Sequence, residues 1–87
     1  MDQELLNVKI MTPHKILFSG KAFSVSSKNS EGNFDILPEH ANFITLIENQ
    51  PIQIVKDNRE SVSFNFTQAI IYNESNNVSV YAEPLSF

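Results

Sequence analysis

Apolar and polar residues alternate along nearly the whole chain, and this period-two pattern constrains its fold more than any other feature. Leu6, Val8 and Ile10 alternate with Asn7 and Lys9, and Phe23 and Val25 with Ser24 and Ser26. Phe34 and Ile36 flank Asp35, and Ile52 and Ile54 flank Gln53. Val62, Phe64 and Phe66 alternate with Ser61, Ser63 and Asn65, while Val78, Val80 and Ala82 alternate with Ser79 and Tyr81. Successive side chains on an extended strand point to opposite faces, so each run offers one face to a core and one to water. Turn-forming clusters separate the runs: Thr12-Pro13-His14, Ser19-Gly20, Asn29 to Asn33, Asp57 to Glu60 and Asn73 to Asn77. Asn and Asp suit such places because their side chains bond the local backbone and tolerate left-handed conformations. No window holds a 3.6-residue apolar period over three turns. The pattern predicts an all-β sandwich or flattened barrel, folded as a single domain over residues 1–87.

Size permits one core and no more. A chain of 87 residues buries only about 60–65% of its unfolded surface. Its 41% hydrophobic share, with seven Phe and two Tyr as large packing groups, is enough for that core. Two runs depart from the alternation: FITLI at 43–47 and IIY at 70–72 are apolar on both faces. They read as central strands covered on each side, or as an outward apolar patch that docks on a partner.

Several kinds of chemistry are excluded by counting. The net charge is −4 and the six basic residues are scattered, whereas nucleic-acid binding needs clustered Lys and Arg to displace counterions. No stretch approaches the roughly 20 apolar residues of a membrane span. The N-terminal MDQELLNVKI places acids where a signal peptide needs a basic and then an apolar region, so a cytosolic location is expected. Cys is absent, which removes disulfides, thiolate nucleophiles and Cys-based zinc sites. The two histidines, His14 and His40, do not make a closed metal site without distant carboxylates. Gly20 and Gly32 are the only glycines, so no phosphate-cradling loop is present. The Asn-x-Ser/Thr triplets at Asn65, Asn73 and Asn77 match by chance in a chain rich in Asn and Ser.

One corner gathers titratable groups. Asp35, Glu39 and His40 surround Pro38 in NFDILPEHANF. An acid–base pair needs both groups within hydrogen-bond reach of one proton. Asp35 is expected to face water opposite Ile36, and neighbouring Glu39 and His40 point apart, so no enzymatic site is expected. Pro38 fixes φ and removes a backbone donor, which ends one strand before the next begins. His40 reads either as a turn histidine bonded to a nearby carbonyl or as an interface residue on a loop held by a rigid scaffold.

The same segment carries a family resemblance. Ser30-Glu31-Gly32-Asn33-Phe34-Asp35-Ile36-Leu37-Pro38-Glu39-His40-Ala41 resembles the S-E-G-E-x-G-I-x-P-G-H-A signature of epsilon subunits of F-type ATP synthases. Ile10-Met11-Thr12-Pro13 is similar to that family's I-V-T-P, Phe18-Ser19-Gly20 to its F-S-G, and Phe64 to Ala82 to the end of its first domain. The resemblance implies a ten-strand sandwich of two five-stranded sheets and a non-catalytic central-stalk subunit. Its implied partners are the gamma subunit and the c-ring, and its implied role is to help couple ion-driven rotation to ATP synthesis. By residue, it implies a rotor interface of Thr12, Glu31, Asn33, Asp35, Glu39, His40, Ala41, Asn42 and Phe43, with Glu31, Asn33 and His40 at contact positions and Thr12 in a second gamma-facing turn. It further implies a peripheral place on the cytoplasmic side of a bacterial inner membrane, with no cofactor and no metal.

Departures from the family pattern sharpen these expectations. Asn33 stands where the family commonly has an acid, Asp35 and Glu39 where it has glycines, and Thr67-Gln68-Ala69 where it has S-G-G. A non-glycine at position 39 would cost about 1–2 kcal/mol if that position needs positive φ. The family continues into a two-helix hairpin that binds ATP in some members, whereas this chain ends at Phe87. It is either one domain of a longer subunit or a naturally short one, and no ATP site is expected within it. A free-standing peptide- or carbohydrate-binding sandwich is the alternative. That reading needs an aromatic-lined groove, for which only Tyr72 and Tyr81 offer amphipathic rings.

Overall fold

The computed structural model describes residues 4–83. Their secondary structure is entirely β: β1 (Leu6–Met11), β2 (Ile16–Asn29), β3 (Gly32–Ile36), β4 (Phe43–Glu48), β5 (Pro51–Lys56), β6 (Ser61–Asn65), β7 (Gln68–Glu74) and β8 (Asn77–Ala82). The strands join edge to edge in the order β4-β7-β8-β1-β2-β5-β6, with β3 added beside β2. All neighbours are antiparallel except β1 and β8, which run parallel with Asn7 opposite Asn77 and Met11 opposite Tyr81.

The all-β expectation holds, but the strand count and layering do not. Among the described residues there are eight strands in one continuous curled sheet, not ten in two five-stranded sheets. The physical reason is β2. Its 14 residues pair with β1 along Ile16 to Ala22 and with β3 along Val25 to Asn29. On its other side β5 pairs with Ala22 to Ser26, across a register shift between Ala22 and Ser24. A bulge of this kind bends a strand and increases its twist. One strand thereby carries the sheet from one layer into the other, and no break separates two sheets.

Turn chemistry fixes the register. The β7–β8 loop is the pair Ser75-Asn76, with φ of 50° and 66°. Two successive left-handed residues give the hairpin turn whose twist matches its flanking strands. Asn49 (φ 54°) and Arg59 (φ 72°) serve the β4–β5 and β5–β6 turns. Asn58 tightens the latter by accepting the Glu60 N–H at 3.0 Å. Pro51 opens β5, where a missing strand donor is tolerated.

The core is aliphatic. Leu6, Ile10, Val25, Ile36, Ile47, Ile52, Ile54, Ile71, Val78 and Val80 are its largest fully buried apolar side chains. The aromatic rings expected to fill it lie mostly around it: Phe18, Phe34, Phe43 and Phe64 are partly buried against its margin, and only Phe66 is buried. Branched aliphatic side chains suit the narrow space between two pleated faces, and the rings close its ends. Phe87 lies outside the described residues.

The two continuous apolar runs resolve in favour of an outward patch. β4 is an edge strand, and Ile44 and Leu46 point away from the core while Ile47 points in. On β7 Ala69 and Ile71 face inward, whereas Ile70 and Tyr72 face outward. Adjacent isoleucines should therefore respond differently to truncation. Ile71→Ala is expected to cost about 2–5 kcal/mol, and Ile70→Ser less than about 0.5 kcal/mol. Urea midpoints of the two variants check this; equal losses would contradict the assigned faces.

Candidate functional site

The outward residues of β4, β7, β8 and β1 form rows across the sheet. Leu46 pairs with Ile70, Ile70 with Tyr81, and Tyr81 with Met11. Beside this row, Ile44 pairs with Tyr72, Tyr72 with Ser79, and Ser79 with Lys9. Ile44 is 65% exposed, Tyr81 54% and Leu46 48%. Scattered exposed apolar residues are ordinary, whereas a contiguous stripe such as this one, running inward from the edge strand, is a candidate contact surface. The Tyr72 hydroxyl donates to the Glu74 carboxylate at 3.3 Å, and that charge raises the phenol's pKa above its usual range.

One end of this face is closed by the 37–42 loop, which contains four of the nine site residues expected from sequence, Glu39 to Asn42, with Phe43 next to it at the start of β4. His40 N–H donates to Leu37 O at 3.0 Å, closing a tight turn around Pro38. The His40 ring places Nδ1 2.7 Å from Ala41 O and packs on Phe43, with ring centroids 5.1 Å apart. Phe43 in turn meets Phe34 edge to face at 5.5 Å, tying the loop to β3. His40 therefore bonds a nearby carbonyl, the first of its two sequence readings. Glu39 adopts φ 72°, so position 39 does need the left-handed conformation. Asp35 does not: it lies in regular strand opposite Ser26, whose hydroxyl donates to its carboxylate.

The other expected residues lie apart from this loop. Glu31 and Asn33 are exposed at the β2–β3 hairpin, where Asn29 Oδ1 accepts the Glu31 N–H at 2.9 Å. Thr12 sits at the far end of β1. Asn7 lies beside the β7–β8 turn, with its N–H bonded to Asn76 O, whereas Met11 pairs with Tyr81 at the opposite end. Thr12 Oγ1 accepts N–H groups from His14 at 3.3 Å and Lys15 at 3.2 Å, building its own turn. The structure thus brings together Glu39, His40, Ala41, Asn42 and Phe43, and separates Thr12 from them by the length of a strand. The apolar stripe lies between the two ends.

The corner also holds features that motif reading missed. Glu39 N–H donates to Asn76 Oδ1 at 2.7 Å, and Asn76 Nδ2 donates to Glu4 Oε2 at 3.3 Å. The Glu4 carboxyl, through a hydrogen bond and charge repulsion, pushes Glu39 above the usual carboxylate range. Asn73, on β7, is completely buried and donates to both His40 O and Ala41 O. It reads from sequence as part of the turn over Asn73 to Asn77, but it lies in β7 on the inward side with Ala69 and Ile71. The Glu39 backbone N–H is thus taken by Asn76, and the His40 Nδ1 by the Ala41 carbonyl. Among the described residues no three His, Asp or Glu side chains are grouped to hold a metal ion.

Replacing Glu39 by Gly should relieve both the left-handed strain and the repulsion from Glu4. Glu39→Gly is expected to stabilise the fold by about 1 kcal/mol through backbone conformation. The carboxyl's pKa is raised by folding, so its protonated form favours the fold and that contribution is lost as pH rises. The gain in denaturation midpoint should therefore be larger at about pH 7 than at about pH 4. A loss of stability at either pH would contradict this.

Comparison with known proteins places the geometry. The model of the ATP synthase delta/epsilon chain β-sandwich domain matches residues 5–85. An ATP synthase epsilon chain from Sulfurimonas denitrificans is 40% identical over 63 residues, covering 70% of this chain and 48% of that relative. One from Wolinella succinogenes is 39% identical over 67 residues, covering 75% and 51%. The chain spans about half the length of these curated relatives. Among solved structures, a chain of the Euglena gracilis mitochondrial ATP synthase (OSCP/F1/c-ring) superposes with a TM-score of 0.82 at 8% identity, over 90% of this chain and 50% of that one. A chain of the Tetrahymena thermophila mitochondrial ATP synthase central stalk and c-ring gives 0.76 at 16% identity, over 97% and 67%. At these identities the two structures establish the shared fold.

Proposed function

The chain belongs to the family of ATP synthase delta/epsilon chain β-sandwich domains, and from that premise we propose that it is a non-catalytic central-stalk module that docks on the rotor of an F-type ATP synthase. It binds the gamma subunit and the c-ring and helps transmit ion-driven rotation toward ATP synthesis. Its place is peripheral, at the cytoplasmic side of a bacterial inner membrane. The observation that carries this reading is the outward row Leu46, Ile70 and Tyr81, continued by the half-buried Met11, on a face that lies between the 37–42 loop and the Thr12 turn.

Apolar area that stays exposed in the free chain gives a partner burial energy without any folding cost. We assign this stripe to the gamma subunit, since Thr12 and His40 to Phe43 then lie along one contact from end to end. The exposed hairpin with Glu31 and Asn33 is left for the c-ring. Asn33 brings no charge to that contact, and exposed ion pairs contribute only about 0–1 kcal/mol, so a neutral hydrogen bond suffices there.

Leu46→Asp combined with Tyr81→Asp is expected to abolish co-elution with the cognate gamma subunit while changing the thermal midpoint by no more than a few degrees. Glu31→Lys with Asn33→Lys should weaken binding to the c-ring and leave gamma binding intact. Unchanged gamma affinity in the first variant would show that the stripe is not the interface.

A further inference from the structure

Three asparagines cross-link the 37–42 loop to the β7–β8 turn. Asn73 Nδ2 donates to His40 O at 3.3 Å and to Ala41 O at 3.1 Å. Asn76 Oδ1 accepts the N–H of Glu39, the loop residue held at φ 72°. In the reverse direction, Asn42 Oδ1 accepts the Ser75 N–H at 3.0 Å. Side chains from the turn thus hold the loop backbone, and a side chain from the loop holds the turn backbone.

Asn73 is the informative member. It occupies an inward position of β7, is fully buried, and its Oδ1 has no hydrogen-bond partner among the described residues. A buried polar atom without a partner is costly, and a valine would fill nearly the same space without stranding an acceptor. Valine could not grip two successive carbonyls of a loop that contains a strained residue. Such strain persists only where its surroundings over-determine the backbone. Asn73 is therefore placed where it loses core stability and gains loop rigidity.

We propose that the 37–42 loop and the Glu74–Asn77 turn are one preorganised docking unit, locked by Asn73 with Asn42 and Asn76 as positioning residues, so that the β7–β8 turn is itself part of the contact with the gamma subunit. The lock rests on the geometry; its use in docking rests on the function proposed above. Preorganising a contact loop raises affinity by reducing the ordering that binding would otherwise require.

The test compares wild type, Asn73→Val and Asn76→Gly in the 87-residue chain by amide hydrogen exchange. The amides of Glu39, His40 and Ser75 should exchange roughly ten-fold faster or more in Asn73→Val, while those of Ile47, Ile71 and Val80 stay as slow or become slower. Asn76→Gly, which tolerates the positive φ but lacks the amide, should release Glu39 in the same way, and it keeps the test decisive should the buried variant not fold. Loop amides that remain fully protected, or a loop and core that accelerate equally, would overturn the lock. In a second arm, the cognate gamma subunit is titrated with each protein. Several-fold weaker binding by both variants is expected. Wild-type affinity in a variant with a loosened loop overturns the docking role alone, and no binding by wild type overturns the proposed function while the exchange result still decides the lock.

Discussion

The bend in β2 is the constraint on which the rest of the structure depends. Its first half pairs with β1 and its second half with β3 and β5, so its inward side chains Ala22 and Val25 belong to a core shared by both layers. Without that crossing, β1, β7, β8 and β4 would form a sheet with one apolar face open to water. With it, Ile10, Ile47, Ile71 and Val80 are covered, and the opposite faces of the same strands are left outward. The exposed stripe and the buried core are two consequences of one pleat.

The loop corner follows from the same placement. β3 returns along β2 and delivers the chain at Leu37, and it must then reach the edge of the other layer to begin β4. Six residues make that passage, through a proline, a left-handed Glu39 and a histidine folded back on its own backbone. A short, strained connection needs anchors. The β7–β8 turn supplies them, because β7 pairs with β4 and brings Asn73 opposite Phe43. The arrangement fixes the backbone of the loop against the turn.

Much of the fold was legible in the sequence because period-two alternation reports faces directly. Most of the strands, the inward Ile36 and outward Asp35, and the turn at Asp57 to Glu60 follow from it, whereas Ser19-Gly20, which reads as a turn, lies inside β2, and the turn read over Asn73 to Asn77 is confined to Ser75-Asn76. The count of strands was not legible, since alternation shows where a strand exists but not that Ile16 to Asn29 is one bent strand shared between layers. Nor could alternation orient FITLI and IIY, which are apolar on both faces; only their edge and near-edge positions decide which side stays open. Position 39 was readable through the glycine of the family signature that the segment resembles. Asn73 was hidden for the opposite reason: its surroundings in sequence are a run of turn residues, and only strand parity shows it to be inside.

The central claim is that the stripe on β4, β7 and β8, and not the opposite sheet face on β5 and β6, meets the rotor. The chain has no Cys, so single cysteines can report on each face. Photoreactive labels placed at Ile70→Cys and Leu46→Cys, and at Gln53→Cys and Ser63→Cys on the other face, would be cross-linked within an assembled ATP synthase. The account predicts gamma adducts from positions 46 and 70 and none from 53 and 63. Adducts confined to positions 53 and 63 would contradict it.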